Sequence, residues 1–503
     1  MPRRPPDPVL TGRARGALFV LCGALFLDAL DVSMKGMAVP AIGADLALSP
    51  ADAPWVISAY TLGFGSLLLL GGRVADLYGR KRVFLASLVA FTAASTVAGL
   101  ADSPTLLVTA RFATGASAAF TAPAGLSIIT TAFAEGPQRT RALSVYSATG
   151  ASGFSLGLVV GGLLSQADWR LVFFLPAVLA AATFVVARRL VPDPQHAPEH
   201  VPQLVPQHQP QHQPQPDAGP ASPGGVDLPG AATVTLALLL LTFAAVRGPQ
   251  AGWTAPSTLV PFATAVLLGT GFAVAERRSS HPLVRPGLLA RGHLVRANLA
   301  AMALLGGWVA TLFVITLYLQ QLRGWSPLHT GLAVAPTGVV VALLAPRVAT
   351  PLVTRFGVGR TVLAGLSCAI LGYALLLPLT RSTAYLLGLL PAFLLVGLAF
   401  ALAYGPLNVA ATRGVDAGEQ GVAAALVSAS FQIGPTLALA AVAAVLHAHA
   451  GPDPGLRTAT GTGDLLGGLR AALAVPLAIS VAGVAVTAYG ELRPPRRSPA
   501  QGA

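Results

Sequence analysis

The stretch LDALDVSMKGMAVPAI, residues 27–42, decides how the rest of the chain is read. It completes an apolar run that starts near residue 16, long enough to cross a hydrocarbon core of about 30 Å. Yet it carries Asp28, Asp31 and Lys35. At spacings i, i+3 and i+7 these three lie on one stripe of an α-helix. A charge at mid-bilayer costs about 2.5–3.5 kcal/mol even on the gentler insertion scale. The stripe is therefore expected to face the interior of a helix bundle or a water-filled cavity, where Asp31 and Lys35, one turn apart, can pair.

The other apolar runs generalise this reading. Of 503 residues 54% are hydrophobic and 10% charged, against about 25% charged in soluble domains, and mean hydropathy is +0.69. The segments lack the polar faces that soluble helices need. The expected fold class is all-α integral membrane. The pI of 10.7 does not indicate nucleic acid, because the basic residues sit in short clusters between apolar runs and form no continuous stripe. Cys22 and Cys368 both fall inside apolar segments and suggest neither a disulfide framework nor a metal site. Arg3, Arg4, Arg13 and Arg15 precede the first run as in a signal peptide, but no small-residue cleavage site follows, so a retained first helix is expected.

Fourteen spans are expected, at 16–40, 53–72, 82–101, 105–130, 139–165, 170–190, 228–246, 256–275, 294–319, 328–350, 360–380, 384–408, 420–447 and 468–490. An even count puts both tails on one side. With that alternation, 24 of the 32 Lys and Arg fall on the side of the tails and six on the other, with Lys35 and Arg111 inside helices. This bias predicts a cell-membrane protein with both termini cytoplasmic. The segment 191–227, dominated by Pro and Gln, is expected to be a disordered cytoplasmic linker. Its four histidines could bind metal, but low-complexity drift is the preferred reading, and no metal or cofactor is expected. The linker divides 1–190, a six-helix bundle, from two inserted helices (228–275), a second six-helix bundle (276–490) and a tail (491–503). GGRVADLYGRKRV (71–83) is echoed by APRVATPLVTRFGVGRTV (345–362), a repeat of helical halves of the kind common in secondary transporters.

Four stretches carry a resemblance to the fourteen-helix drug:proton antiporter branch of the major facilitator superfamily. GGRVADLYGRKRV is similar to the signature loop G-x-L-A-D-R-x-G-R-K, with Gly72, Asp76, Gly79, Arg80 and Lys81 in register. Gly79 suits a tight turn. By resemblance the loop is a conformational latch, with Asp76 facing the helix start near Glu419–Val422. A plain anchor of positive charge is the alternative. ARFATGASAAF (110–120) resembles the family's R-x-x-x-G-x-x-A helix, making Arg111 a buried partner for the acid of helix 1 rather than an arginine snorkelling to the interface. GASGFSLGLVVGGLL (150–164) resembles the antiporter motif, with Gly153, Gly157, Gly161 and Gly162 matching and Leu158 where proline is usual. Glycines so spaced form a groove for another helix. LDVSMKGMAVPAI matches the branch's L-D-x-T-I-V-N-V-A-L-P-x-I at Asp31 and Pro40, with Lys35 in place of an apolar residue and Gly36 in place of Asn.

The resemblance implies a major facilitator fold and proton-driven efflux of a drug or antibiotic. A proton-coupled exporter needs a carboxyl that takes a proton on one side and releases it on the other. Burial disfavours the charged form and a nearby cation favours it. Asp31 is the expected carrier, Asp28 the second candidate, and Arg111 and Lys35 the tuning cations. A static ion pair is the competing reading. Tyr60, Gln320, Asn408 and Gln432 are candidate cavity residues, as are the aromatics Phe120, Trp308 and Tyr404, although such groups also bridge or pack helices. No nucleotide-binding loop or catalytic triad is visible, so no enzyme is expected. Expected partners are a small-molecule drug, protons and the lipid bilayer, with no nucleic acid, in a monomer. Thirty Arg against two Lys fits a high-GC bacterial genome, and the resemblance leans to antibiotic self-resistance exporters, puromycin among their substrates. A nutrient facilitator or symporter of the same fold is the alternative, and a membrane receptor a more distant one.

Overall fold

The computed structural model describes residues 12–48, 52–132, 137–191, 228–252, 254–278, 292–413, 415, 420–449 and 463–492. The helices are α1 (Gly12–Asp45), α2 (Trp55–Tyr78), α3 (Arg80–Gly99), α4 (Pro104–Ala132), α5 (Pro137–Ala167), α6 (Leu171–Leu190), α7 (Leu228–Ala251), α8 (Pro256–Arg278), α9 (Gly292–Leu317), α10 (Pro327–Leu344), α11 (Val358–Leu376), α12 (Leu390–Thr412), α13 (Gln420–His449) and α14 (Gly463–Leu492). α9 ends in a π turn (Tyr318–Leu322), and α10 runs on through another (Ala345–Ala349) into Thr350–Phe356. Among the described residues ten helices are long and apolar enough to cross a membrane, and shorter apolar stretches lie in three more. The chain is a multi-pass, all-α membrane protein. The proposed linker lies outside the described residues.

Packing repeats between the halves. α1 packs on α5 and α6, α4 on α2 and α3, and α3 on α6. In the second half α9 packs on α13 and α14, α12 on α10 and α11, and α11 on α14. The result is two related bundles. They meet along two seams, α5 against α10 and α2 against α13, and α7 covers the second seam by touching both α2 and α13.

The echoed motifs fall at equivalent corners. Gly79 (φ 92°) joins α2 to α3, and Gly357 (φ 86°) precedes α11, a backbone region that side chains disfavour. One expectation needs correction here: 73–78 is not loop. α2 continues to Tyr78, so Gly72 and Asp76 lie within it and the chain breaks only at Gly79. No proline interrupts that stretch, and backbone groups at membrane depth are satisfied most simply by prolonging the helix.

Side-chain contacts define two faces. Gly16 lies against Leu190, and Gly359 against Glu491; this is the tail face. At the far face Trp169 Nε1 and Arg170 Nη1 donate to Asp45 Oδ2 at 3.0 and 3.2 Å, and Arg323 Nη1 donates to the Thr383 carbonyl at 2.8 Å. Contacts between the bundles gather in the far half. The Thr61 and Thr436 hydroxyls meet at 2.5 Å across the α2–α13 seam, and Gln320 Nε2 donates to the Met37 carbonyl at 3.2 Å. A side chain at Gly162 would strike the backbone of Pro327 and Leu328.

With Cys22 and Cys368 replaced by Ala, Thr61→Cys with Thr436→Cys is expected to form a reducible cross-link. A protease site placed in 192–227 reads this out, because oxidised halves co-migrate after cleavage and reduced halves separate.

Candidate functional site: a buried charge cluster on the first helix

Asp31, Lys35 and Arg111 are 0%, 0% and 1% exposed, so the polar stripe of α1 does face the bundle interior. Lys35 Nζ donates to Asp31 Oδ1, and Arg111 Nη1 donates to Asp31 Oδ2 at 2.9 Å. Arg111 Nε donates to the Val56 carbonyl at 3.1 Å, which ties α1, α4 and the start of α2 into one network. Arg111 therefore does not snorkel outward.

Asp28 sits one turn toward the tail face and is only half-buried. Its carboxylate accepts a hydrogen bond from the Tyr60 hydroxyl. The Arg111 guanidinium lies 4.7 Å from the centre of the Tyr60 ring, so the two acids are joined through one aromatic ring. Phe173 of α6 offers a second π face, 4.8 Å from Lys35 Nζ. Attraction between cation and ring face partly replaces lost hydration. Phe173 was not singled out from sequence. Its only signal is an aromatic pair in an apolar helix, with no spacing relation to the cations.

The glycine ladder of α5 packs as a groove. Gly153, Gly157 and Gly161 lie against Phe26, Leu30 with Ser33, and Met34 of α1, while Gly162 faces α10. Substituents there would meet backbone, which is why glycine is needed. Gly36, which departs from the family pattern, lies against Leu312 of α9.

The candidate cavity residues are not brought together. Tyr60 belongs to the charge cluster. Gln320 bridges the bundles, and Gln432 packs at Gly65 in the α2–α13 seam. Asn408 is half-buried on α12 and donates to the Tyr404 carbonyl at 2.8 Å. Phe120 packs against the cluster of Val20, Leu21 and Phe84. Trp308 is 2% exposed and packs between Phe154 and Phe400. Tyr404 is 43% exposed, with Phe431 at 4.8 Å. At the proposed latch, Arg80 and Lys81 open α3 behind Gly79. The Asp76 side chain and residues 416–419 lie outside what is described.

Two related helical bundles, the first of them holding a buried ion cluster, are the architecture of a membrane transporter of the two-bundle kind. The family model of the Major Facilitator Superfamily matches residues 21–439, and the chain belongs to that family. It is 32% identical to the cephamycin export protein CmcT of Amycolatopsis lactamdurans over 96% of this chain and 95% of that protein. It is 34% identical to the puromycin resistance protein of Streptomyces alboniger over 86% and 81%. The crystal structure of the POT family transporter PepTSo superposes with a TM-score of 0.65 at 16% identity, over 95% of this chain and 99% of that one, a likeness of fold. The family consists of transporters rather than enzymes, and its named relatives here are export and resistance proteins.

Asp31→Asn would leave two enclosed cations facing a neutral partner. Breaking a buried pair costs about 3–5 kcal/mol. A clear fall in the thermal-unfolding midpoint of detergent-solubilised protein is expected, with most of it recovered when Lys35→Met is added.

Proposed function

We propose that this chain is a drug:proton antiporter of the fourteen-helix branch that exports an antibiotic across the cytoplasmic membrane, with both tails in the cytoplasm. The observation that carries the reading is the ion cluster of α1. Three charged groups held in the membrane core are expensive, and in membrane proteins such groups mark ion or substrate pathways. The names of the relatives support efflux of antibiotics, and the distribution of Lys and Arg supports cytoplasmic tails.

Proton coupling resides in Asp31 and Asp28, with Lys35 and Arg111 setting the charge balance. Among the described residues the inter-bundle hydrogen bonds Thr61–Thr436 and Gln320–Met37 lie in the far half. Alternation between this arrangement and its inverse moves the drug outward while a proton moves in. Exchange is favoured by the tight α1–α5 groove, which limits leak along that seam. An amphipathic organic cation fits best, since the acids expected inside the membrane-spanning helices are Asp28 and Asp31 of α1. Puromycin is the first candidate.

In everted vesicles with an acid interior, adding puromycin is expected to raise internal pH when the chain is present. Replacing Asp28 and Asp31 together by Asn is expected to abolish that signal and to reduce resistance to that of an empty vector. A nutrient symporter of the same fold would show no drug-dependent alkalinisation and confer no resistance.

A further inference from the structure

The two acids of α1 occupy different surroundings. Asp31 is enclosed: each of its oxygens accepts from a cation, Lys35 on one side and Arg111 on the other. Asp28 has no such clamp. Among the described residues its side-chain hydrogen bond comes from Tyr60 alone.

Asp28 also lines a narrow cleft, which Asp31 does not reach. The cleft is bounded by Leu21, Leu25, Phe84, Leu88, Thr121 and Tyr146, among others. These positions lie in the tail-side portions of α1, α3, α4 and α5. The opening is water-sized, too small for a drug, and its walls are mostly apolar. Thr121, whose hydroxyl is 2.8 Å from that of Ser87, and Tyr146 supply the polar groups a water needs. Asp31, Lys35 and Arg111 are not among the cleft's lining residues.

Resting on the antiport reading, we propose that Asp28 is the group that takes up and releases the coupled proton, reached by water through this cleft, and that Asp31 stays ionised as the fixed anion between Lys35 and Arg111. The step is a bare proton transfer. Water delivers H⁺ to an Asp28 carboxylate oxygen, the carboxylic acid forms, and the reverse step returns H⁺ to water. Tyr60, hydrogen-bonded to Asp28 and stacked beneath Arg111, is a positioning residue that makes the state of Asp28 felt by the Asp31 cluster. Among the described residues the other titratable or charged groups near Asp28 are Asp31 and Lys35 on its own helix, Arg111 from α4, Tyr146 from α5 and Tyr404 from α12. The lining residues of α3 are apolar, and α6 packs Ala180 in one cluster with Leu27 and Phe91.

The assignment departs from the family pattern, in which the motif acid is the one at Asp31. The physical reason is Lys35. Where the family has an apolar side chain, this chain places a second cation on the motif acid and holds it as a carboxylate.

Infrared difference spectra of the purified full-length protein, recorded between acid and alkaline pH with no drug present, test the assignment. The protonated-carboxyl band of a buried acid is expected to disappear in Asp28→Asn, to persist shifted in Asp28→Glu, and to persist in the charge-balanced Asp31→Asn/Lys35→Met variant. Loss of that band in the Asp31 variant, or its survival in Asp28→Asn, overturns the assignment while leaving antiport intact. If the band behaves as expected but puromycin and other resistance substrates move no protons in wild-type vesicles, the antiport reading fails and the proton site stands. Circular dichroism and gel-filtration profiles of Asp28→Glu show whether a null result reflects misfolding.

Discussion

The structure turns on one anion, Asp31, held between Lys35 and Arg111 where water is excluded. Each charge alone would be prohibitively costly to bury, and together they are tolerable only while their geometry is maintained. That requirement reaches outward. Arg111 also holds the Val56 carbonyl at the start of α2, and Phe173 of α6 lies against Lys35. Four helices of the first bundle are positioned by a single carboxylate, so any movement of α1 must carry the cluster along as a unit or break it.

The second constraint is close approach. α1 and α5 come together where four glycines, Gly150, Gly153, Gly157 and Gly161, face α1, and α5 also packs across the inter-bundle seam on α10. The rigid cluster and the seam between bundles are thus coupled through one pair of helices. α2 plays the matching part on the other side: the Tyr60 hydroxyl donates to Asp28, and one residue on, Thr61 contacts Thr436 of the second bundle. A contact to the charged stripe of α1 and a contact between the bundles thus fall on adjacent residues of α2. Such proximity is what a transporter needs if protonation is to bias which side is open.

The relation to sequence can be judged at particular residues. The interior placement of Asp31 and Lys35 was legible because a 3.6-residue period put them on one stripe and lipid forbids charge. The turn at Gly79 and its echo at Gly357 were legible because the motif repeats. The extension of α2 past Gly72 was not, since a polar, basic stretch reads equally as loop until the packing around it is known. Gln320 and Gln432 were legible as polar groups within helices, for which bridging is the commoner role, but which helices they join was not, because a neutral amide carries no mark of its partner.

Composition and period by themselves determined that this chain spans a membrane many times, that its halves repeat, and that the charged stripe of α1 turns inward. These follow from local rules: hydrocarbon excludes charge, and a helix has a fixed pitch. Only the tertiary structure decided that Asp31 is doubly clamped while Asp28, three residues away, opens onto a cleft. It also decided that Phe173 and Tyr60 provide the π faces for the cations. Those distinctions depend on which residues, far apart along the chain, are brought within a few ångströms, and no pattern within one helix encodes that.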